Sequence, residues 1–539
     1  MTCNALHDAA RPRALSPRKG RSHVKTLTHM HGGRSLAGLL LALALIASGC
    51  GTDEETPTTE DTAHSSEVAD TATPDDTATP DDTAPADSSE PEAPTEAAGE
   101  NVVKLGIMGE CEGPFGGFHE DVVAGAVLGM VNGAGATPNS KTTALDGFEG
   151  AEVAGTSIEL VGTGCGDDTA DRAIEEIRTL VEQDGANLIV GPLSGDESIA
   201  IANYAKDHPE VTFMDGAAGA QDTTLKVQAP NYFRFHGDGA QWNAGMGEAL
   251  YNEGWREVAV IVDDYSFGYT SAAGFIADFC AIGGDVVSRI FPPLGTTDYS
   301  SFVQQLPNPD EVDGYFWVVG GTGTQASLEA FVNAKGELTG DQHAGNLFFN
   351  PGLASALGPS IAGAYVGGFA TLPGDVSTPE IQAYLDTANA TWDTLAGGLS
   401  GGEPAEPSVA AGFGFMYMYY TGAYAFTQAL AAVDGDISNN QEALRAALSE
   451  LEINPAYGDL KLDENRHATI DTYVSQLVED DAGEIVSKTV SIIPGVDQSL
   501  GGTFSEDTPA PGREDPTCEA REMPWHGNAI PVVDGVPQA

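Results

Sequence analysis

The strongest constraint on the fold is a rhythm that runs through the chain twice. A short apolar run is followed by a loop rich in glycine and small polar residues, then by apolar residues at helical spacing. Residues 102–110 (VVKLGIMGE), 157–161, 187–190 (NLIV) and 211–214 are predicted strands. The loops after them include CEGPFGGFHE, GPLSGDES and DGAAGAQ. Residues 120–132 carry Val123, Val127, Met130 and Val131 on one helical face. Asp168 and Thr169 are suited to cap a helix that carries Ile174, Ile177, Leu180 and Val181. The rhythm restarts at 258–262 (VAVIV) with DDYSFGY and a helix through Phe275 and Phe279. It continues at 314–319 (GYFWVV) with GGTGTQ, and at 347–349 with NPG. Strand, loop and helix in this order predict α/β architecture, with parallel sheets covered on both faces. Two such units are expected, with a crossover near 232–238. In sheets of this kind ligands bind outside the carboxyl ends of the strands.

The N-terminus reads as an export signal. Residues 36–47 (LAGLLLALALIA) are too few to span a bilayer comfortably but fit a signal core. Arg34 precedes them, and Met30 is a candidate start. The run closes on Ala47-Ser48-Gly49-Cys50, which resembles the bacterial lipoprotein cleavage box, with Cys50 as the lipidated residue. Residues 51–100 hold 16 acids and no Lys or Arg, and include the near-repeat DTATPDDTATPDDTAPAD. A segment without hydrophobic period and with one sign of charge is expected to be an extended tether.

Acidity is not confined to the tether, because residues 101–539 carry 63 acids against 16 basic residues. That balance argues against a nucleic-acid partner, which needs a basic footprint, and against docking on anionic lipid. Of six cysteines, Cys111, Cys165, Cys280 and Cys518 lie beyond the signal and anchor. An even number in an exported chain points to two disulfides, for which three connectivities are open. Neither a CxxC pair nor a metal motif is present, so no metal or cofactor is expected.

Five segments stand out in order and spacing. They are Lys104-Leu-Gly-Ile-Met-Gly with Gly113-Pro114, Gly125-Ala126 with Asn132-Gly133, and Gly185-Ala-Asn-Leu-Ile-Val-Gly191-Pro192. Val260-Ile-Val-Asp263 with Tyr265-Ser-Phe267-Gly268, and Gly458-Asp-Leu-Lys-Leu-Asp463-Glu464-Asn465-Arg466, complete the set. Together they resemble the type I periplasmic binding proteins, specifically the branched-chain amino acid (leucine/isoleucine/valine) binding family of ABC transporters. The resemblance covers about residues 102–480. It implies two Rossmann-like lobes joined by a three-segment hinge, with the ligand cleft between them. The implied division is a signal over 1–49, a tether over 50–101, lobe one over 102–235 and 367–457, lobe two over 236–366 and 458–490, and a tail over 491–539. It implies a small-molecule ligand, a membrane permease partner, an extracytoplasmic location and a monomer. Carried over loop by loop, the ligand-binding positions are Phe115 and Phe118, Ser194 and Gly195, Asp215 and Ala217, Tyr265 and Phe267, Gly321 and Thr322, and Asn350. Asn350 stands where the family's amino-acid binders often place an acid, and Gly216–Gly219 replaces part of a hydroxyl-rich grip. A polyol, amide, aromatic acid or peptide is therefore a candidate beside an amino acid. The acids Asp196, Asp215 and Asp264 are alternative cation contacts. In the implied topology Cys111 and Cys165 end neighbouring strands, so the expected pairs are Cys111 with Cys165 and Cys280 with Cys518.

Two rival readings carry less. Gly321 to Ala326 fits a loose GxGxxA dinucleotide fingerprint. No acid follows at a second strand end, and no GxSxG, HExxH or Walker sequence is present, so an exported enzyme is not expected. A sensor or envelope-assembly lipoprotein on the same fold differs only in its partner. Residues 410–432 are apolar enough to raise a transmembrane reading, but interrupting Gly and Thr residues favour a buried helix.

Overall fold

The computed structural model describes residues 101–321, 323–346, 357–370, 375–396, 404–412 and 414–538. The signal run, Cys50, the tether through residue 100, Thr322 and residues 347–350 lie outside the described residues.

The first sheet has six strands, in the order Ala151–Val153, Thr156–Gly166, Val102–Glu110, Leu188–Val190, Thr212–Met214 and Tyr232–Phe233. All neighbours are parallel except the first pair. Val102–Glu110 is central, and its residues from Leu105 onward are buried without alternation. That is the pattern of a strand covered on both faces. Helix Ala170–Arg178 begins where its cap predicts, with Thr169 Oγ1 accepting from the Arg172 amide. Helix His119–Ala134 presents Gly125, Gly129 and Gly133 to helix Phe415–Ala432. A Cβ at Gly125 would stand 2.2 Å from the Met416 carbonyl oxygen, so the two backbones touch where a side chain would hold them apart. The helix expected over 410–432 is instead two elements, helix Pro407–Ala411 and, after a positive-φ break at Gly414, the buried core helix Phe415–Ala432. Among the described residues no helix is long and apolar enough to cross a membrane.

The second sheet runs Asp285–Ile290, Glu257–Val262, Gly314–Val318, His343–Gly345 and Tyr365–Gly368, all parallel. It continues antiparallel through Ala468–Glu479, Ile485–Val496, Ile530–Val533 and Val536–Pro537. Each sheet with its helices forms a lobe, and the chain passes between the lobes three times. Two passages run side by side. There the Arg234 amide donates to the Arg466 carbonyl, and the Ala468 amide donates to the Arg234 carbonyl, both at 2.9 Å.

The strand expected at 347–349 lies outside the described residues, and the strand that pairs with Gly314–Val318 in this sheet is His343–Gly345. Its residues lack an apolar run because the bulk comes from the neighbouring strand. Trp317 Nε1 donates to His343 Nδ1 at 2.9 Å, and a Cβ at Gly345 would meet the Trp317 carbonyl at 2.2 Å. Burial lowers the His343 pKa to about 3, so the ring accepts as a neutral imidazole. The segment beyond 490, a tail with no function assigned from the sequence, adds to the second sheet. Strand Ile485–Val496 runs through that boundary, and Ile530–Val533 extends the sheet. The tail also reaches back to the first lobe, where the Lys226 ammonium donates to the carbonyls of Ser505 at 3.1 Å, Glu506 at 2.6 Å and Thr508. The disulfides are Cys111–Cys165 and Cys280–Cys518, with Cα separations of 5.1 and 5.2 Å.

Candidate functional site

The loops at the carboxyl ends of both sheets meet. After strand Val102–Glu110 a 3-10 turn, Gly116–Phe118, presents Phe115 and Phe118. After Leu188–Val190 come Leu193, Ser194 and Gly195, the last opening helix Gly195–Ala205. From the second lobe, Tyr265 and Phe267 stand at the start of helix Ser266–Ala281. Phe115 lies 6.3 Å from Tyr265 between ring centroids, and Tyr265 lies 5.9 Å from Phe267. Phe118 packs edge-on against Phe415 at 4.9 Å, and Phe267 contacts Trp242 at 5.6 Å. Phe118 packs behind Phe415, and Phe115, Tyr265, Phe267, Trp242 and Phe415, with Leu193, Ala217 and Gly219, line a cavity between the lobes. Its free space has room for about one water molecule.

The rims of the lobes are in contact. The Ser266 amide donates to Asp196 Oδ1 at 3.3 Å. A Cβ at Gly195 would stand 2.5 Å from Ser266 Oγ. Gly321 has φ +55°, and a Cβ there would meet the Pro114 carbonyl at 2.3 Å. Glycine is required at 321 both for the left-handed backbone and for this approach. The lobes are therefore closed on each other with the cavity filled by side chains.

Behind the first-lobe rim lies a set of buried carboxyls. Glu110 Oε1 accepts from the amides of Leu193 at 3.1 Å and Ser194 at 2.6 Å. Asp168 Oδ2 accepts from the Phe115 amide at 3.1 Å, and Glu197 Oε1 from those of Asp167 and Asp168 at 3.2 and 2.9 Å. Burial, then the neighbouring Glu197, raises the Glu110 pKa well above the carboxylate range. Burial is also the main cause that brings Glu197 to about 7 and Asp168 to about 8. Asp263 in the second lobe is likewise pushed by burial to about 8, against a 2.9 Å bond from the Gly320 amide. These acids pin the loops that line the cavity, and among the described residues no basic side chain lines it.

Asp215 has a different position. It is fully buried, 2.9 Å from both Arg234 Nη2 and His236 Nε2, and accepts from the Tyr232 hydroxyl at 2.8 Å and the Ala218 amide at 3.0 Å. Burial pushes its pKa up, but Arg234, His236 and Tyr232 outweigh it and hold the carboxyl below the usual range. Asp264 pairs with Arg513 of the tail. Among the described residues no group of three or more His, Cys, Asp or Glu side chains is placed to hold a metal ion.

The structure thus brings Phe115, Phe118, Ala217, Tyr265 and Phe267 to the cavity or its rings. It sets Ser194, Gly195 and Gly321 on the rims and turns Asp215 into the interior. Thr322 and Asn350 lie outside the described residues. Sequence reasoning missed Trp242 and Phe415. Trp242 follows no strand, lying in the first crossover, and Phe415 was counted among core residues of its helix. The one available signal for Trp242 was a bulky aromatic just beyond the expected crossover.

Comparison with known proteins agrees with this geometry. The Leu/Ile/Val-binding protein homolog 6 of Brucella melitensis is 23% identical over 407 residues, covering 73% of this chain and 92% of that protein. A Rhodopseudomonas palustris BisB5 solute-binding protein of an ABC transporter, in complex with 3,4-dihydroxybenzoic acid, superposes with a TM-score of 0.60. It is 19% identical and covers 75% of this chain and 100% of its own. A branched-chain amino acid ABC transporter periplasmic ligand-binding protein of Burkholderia xenovorans LB400 gives 0.54 at 16% identity, covering 74% and 97%. The family model described as periplasmic binding protein matches residues 102–483. The chain therefore belongs to the periplasmic binding protein family, as a type I solute-binding protein of ABC transporter type that acts outside the cytoplasm and binds rather than transforms its ligand.

Proposed function

We propose that this protein is a lipid-anchored capture component that delivers a small solute to the membrane permease of an ABC transporter. Cys50 carries the anchor, the acidic segment to residue 101 is the tether, and a single copy of the body works alone. We assign 102–235 and 367–457 to lobe one and 236–366 and 458–490 to lobe two, with the segment beyond 490 adding to the second lobe's sheet. The observation that carries this reading is the cavity at the carboxyl ends of both sheets, where Phe115 of one lobe meets Tyr265 of the other, with Phe118 beside Phe115 and Phe267 beside Tyr265. A solute that wedges between these rings contacts both lobes at once. It stabilises the closed arrangement to the extent that it prefers that arrangement to the open one. Ser194, Gly195, Gly321, Thr322 and Asn350 complete the proposed contacts at the rims.

The rings favour a solute with an apolar or planar body. Leucine and benzoate are sensible probes, since relatives are named for branched-chain amino acids and a structural neighbour is in complex with a hydroxylated benzoic acid. The test is thermal denaturation of the disulfide-bonded protein with each solute in excess. A ligand present at 100 times its Kd stabilises by about 2.7 kcal/mol through mass action. Absence of any shift across amino acids, aromatic acids, amides and polyols, in a protein shown to be folded, would count against a solute-binding role for this cavity.

A further inference from the structure

Trp242 lines the cavity, is 2% exposed, and its indole N–H meets no acceptor among the described residues. Buried indole N–H groups normally find a partner, because a donor taken out of water and left unmet is costly. The ring is held between Phe267 and Phe369, with centroids at 5.6 and 5.0 Å. Its main chain is fixed by a 3.1 Å bond from the Trp242 amide to the Asp238 carbonyl. General looseness of the crossover does not account for the orphan, because the flanking side-chain donors are satisfied. Gln241 Nε2 donates to the carbonyls of Ala468 and Val496 at 3.0 and 2.9 Å. Asn243 Nδ2 donates to the carbonyls of Gly239 and Ser271 and to Asn346 Oδ1, at 2.7 to 3.0 Å.

A second, independent observation concerns charge. Three first-lobe amides at the cavity are already taken, those of Leu193 and Ser194 by Glu110 and that of Phe115 by Asp168. Arg234, buried in the same crossover, is used by Asp215 and the Ala220 carbonyl. Among the described residues a carboxylate entering the cavity would meet no lining cation and would find these three amides occupied, which leaves much of its charge unmet, the costly way to bury a charge. An ammonium group brings only donors and leaves the indole N–H unmet.

We infer that the cavity takes an uncharged, largely planar solute bearing a carbonyl acceptor, and that the Trp242 indole N–H is the group that reads the acceptor. The inference rests on the cavity being the solute site. It makes Trp242 a specificity-determining residue, since the surrounding rings accept any apolar body of suitable size. The same rings surround the cavity with apolar surface, so the hydrogen bond forms in a low-dielectric setting where its loss is felt strongly.

Calorimetric titration of the full disulfide-bonded chain with benzamide, benzoate and benzylamine tests this. Benzamide is expected to bind at least about tenfold more tightly than either charged analogue, and Trp242→Phe to weaken benzamide about tenfold, the loss of one well-made hydrogen bond. A measurement that needs no variant guards against misfolding. Of the five tryptophan indole N–H signals in a nitrogen-labelled sample, one should move downfield on adding benzamide. Benzoate or benzylamine binding as tightly as benzamide, an unaltered benzamide affinity in Trp242→Phe, or five unmoved indole signals at saturation overturns the inference while leaving the solute site intact. Binding of none of the three, nor of the wider solute set, overturns the solute site and the inference with it.

Discussion

Two groups of buried carboxyls, about equally removed from water, have been neutralised in opposite ways. In the crossover, Asp215 is held by Arg234, His236 and Tyr232 and stays ionised. At the first-lobe rim, Glu110, Asp168 and Glu197 have loop amides as donors but no cation among the described residues, and burial raises their pKa values so that they keep their protons to higher pH than Asp215 does. Burial by itself therefore does not decide whether an acid is charged; the partner does. The crossover joins the lobes and needs a fixed geometry, which a hydrogen-bonded ion pair supplies. The rim carries the loops that close on the solute, and protonated carboxyls hold those loops without placing charge beside the cavity.

The largest effect should come from breaking the crossover. Asp215→Ala leaves Arg234 buried without its carboxylate and is expected to cost about 3–5 kcal/mol. Denaturant unfolding checks this, and a loss below about 1 kcal/mol would remove the distinction drawn here.

The next effect is pH dependence. A folded-state pKa raised above the unfolded value means that the native state binds more protons. Stability from the rim is thus full below about pH 4 and is lost as pH rises through the values of about 7 for Glu197 and about 8 for Asp168. The lowered pKa of Asp215 works the other way, with stability present above the ordinary carboxyl pKa and lost on acidification. Denaturant unfolding between pH 5 and about 8 should therefore fall in midpoint. Glu197→Gln and Asp168→Asn should each flatten the slope, by up to about 1.4 kcal/mol per pH unit for one proton. Parallel slopes in the wild type and both variants would show that the rim acids are ionised after all.

The smallest effect is expected at the surface. Asp264 pairs with Arg513, but the arginine is exposed and water screens the pair. Arg513→Ala should leave the unfolding midpoint within error, and a measurable loss would mean that the tail is held by this ion pair rather than by Lys226 and the Cys280–Cys518 disulfide.

Local pattern in the sequence determined the alternation of strand, glycine-rich loop and helix. Strands Val102–Glu110, Leu188–Val190 and Glu257–Val262 were legible because apolar run length and flanking loops are properties of a few consecutive residues. The same order made the site's first ring of aromatics readable, since Phe115, Tyr265 and Phe267 follow directly on strand ends. What only the tertiary structure decided depends on residues far apart in the chain. His343–Gly345 is a strand because Trp317 lies beside it, and the tail is ordered by Lys226 and Cys280, each over 230 residues away. Whether Asp215 or Glu197 keeps a charge depends on which side chains the fold brings within 3 Å, and the same holds for the unmet donor of Trp242. Periodicity reports how a segment meets a core, whereas ionisation and hydrogen-bond satisfaction report what that core contains at one point. Those quantities come into existence only when the lobes close.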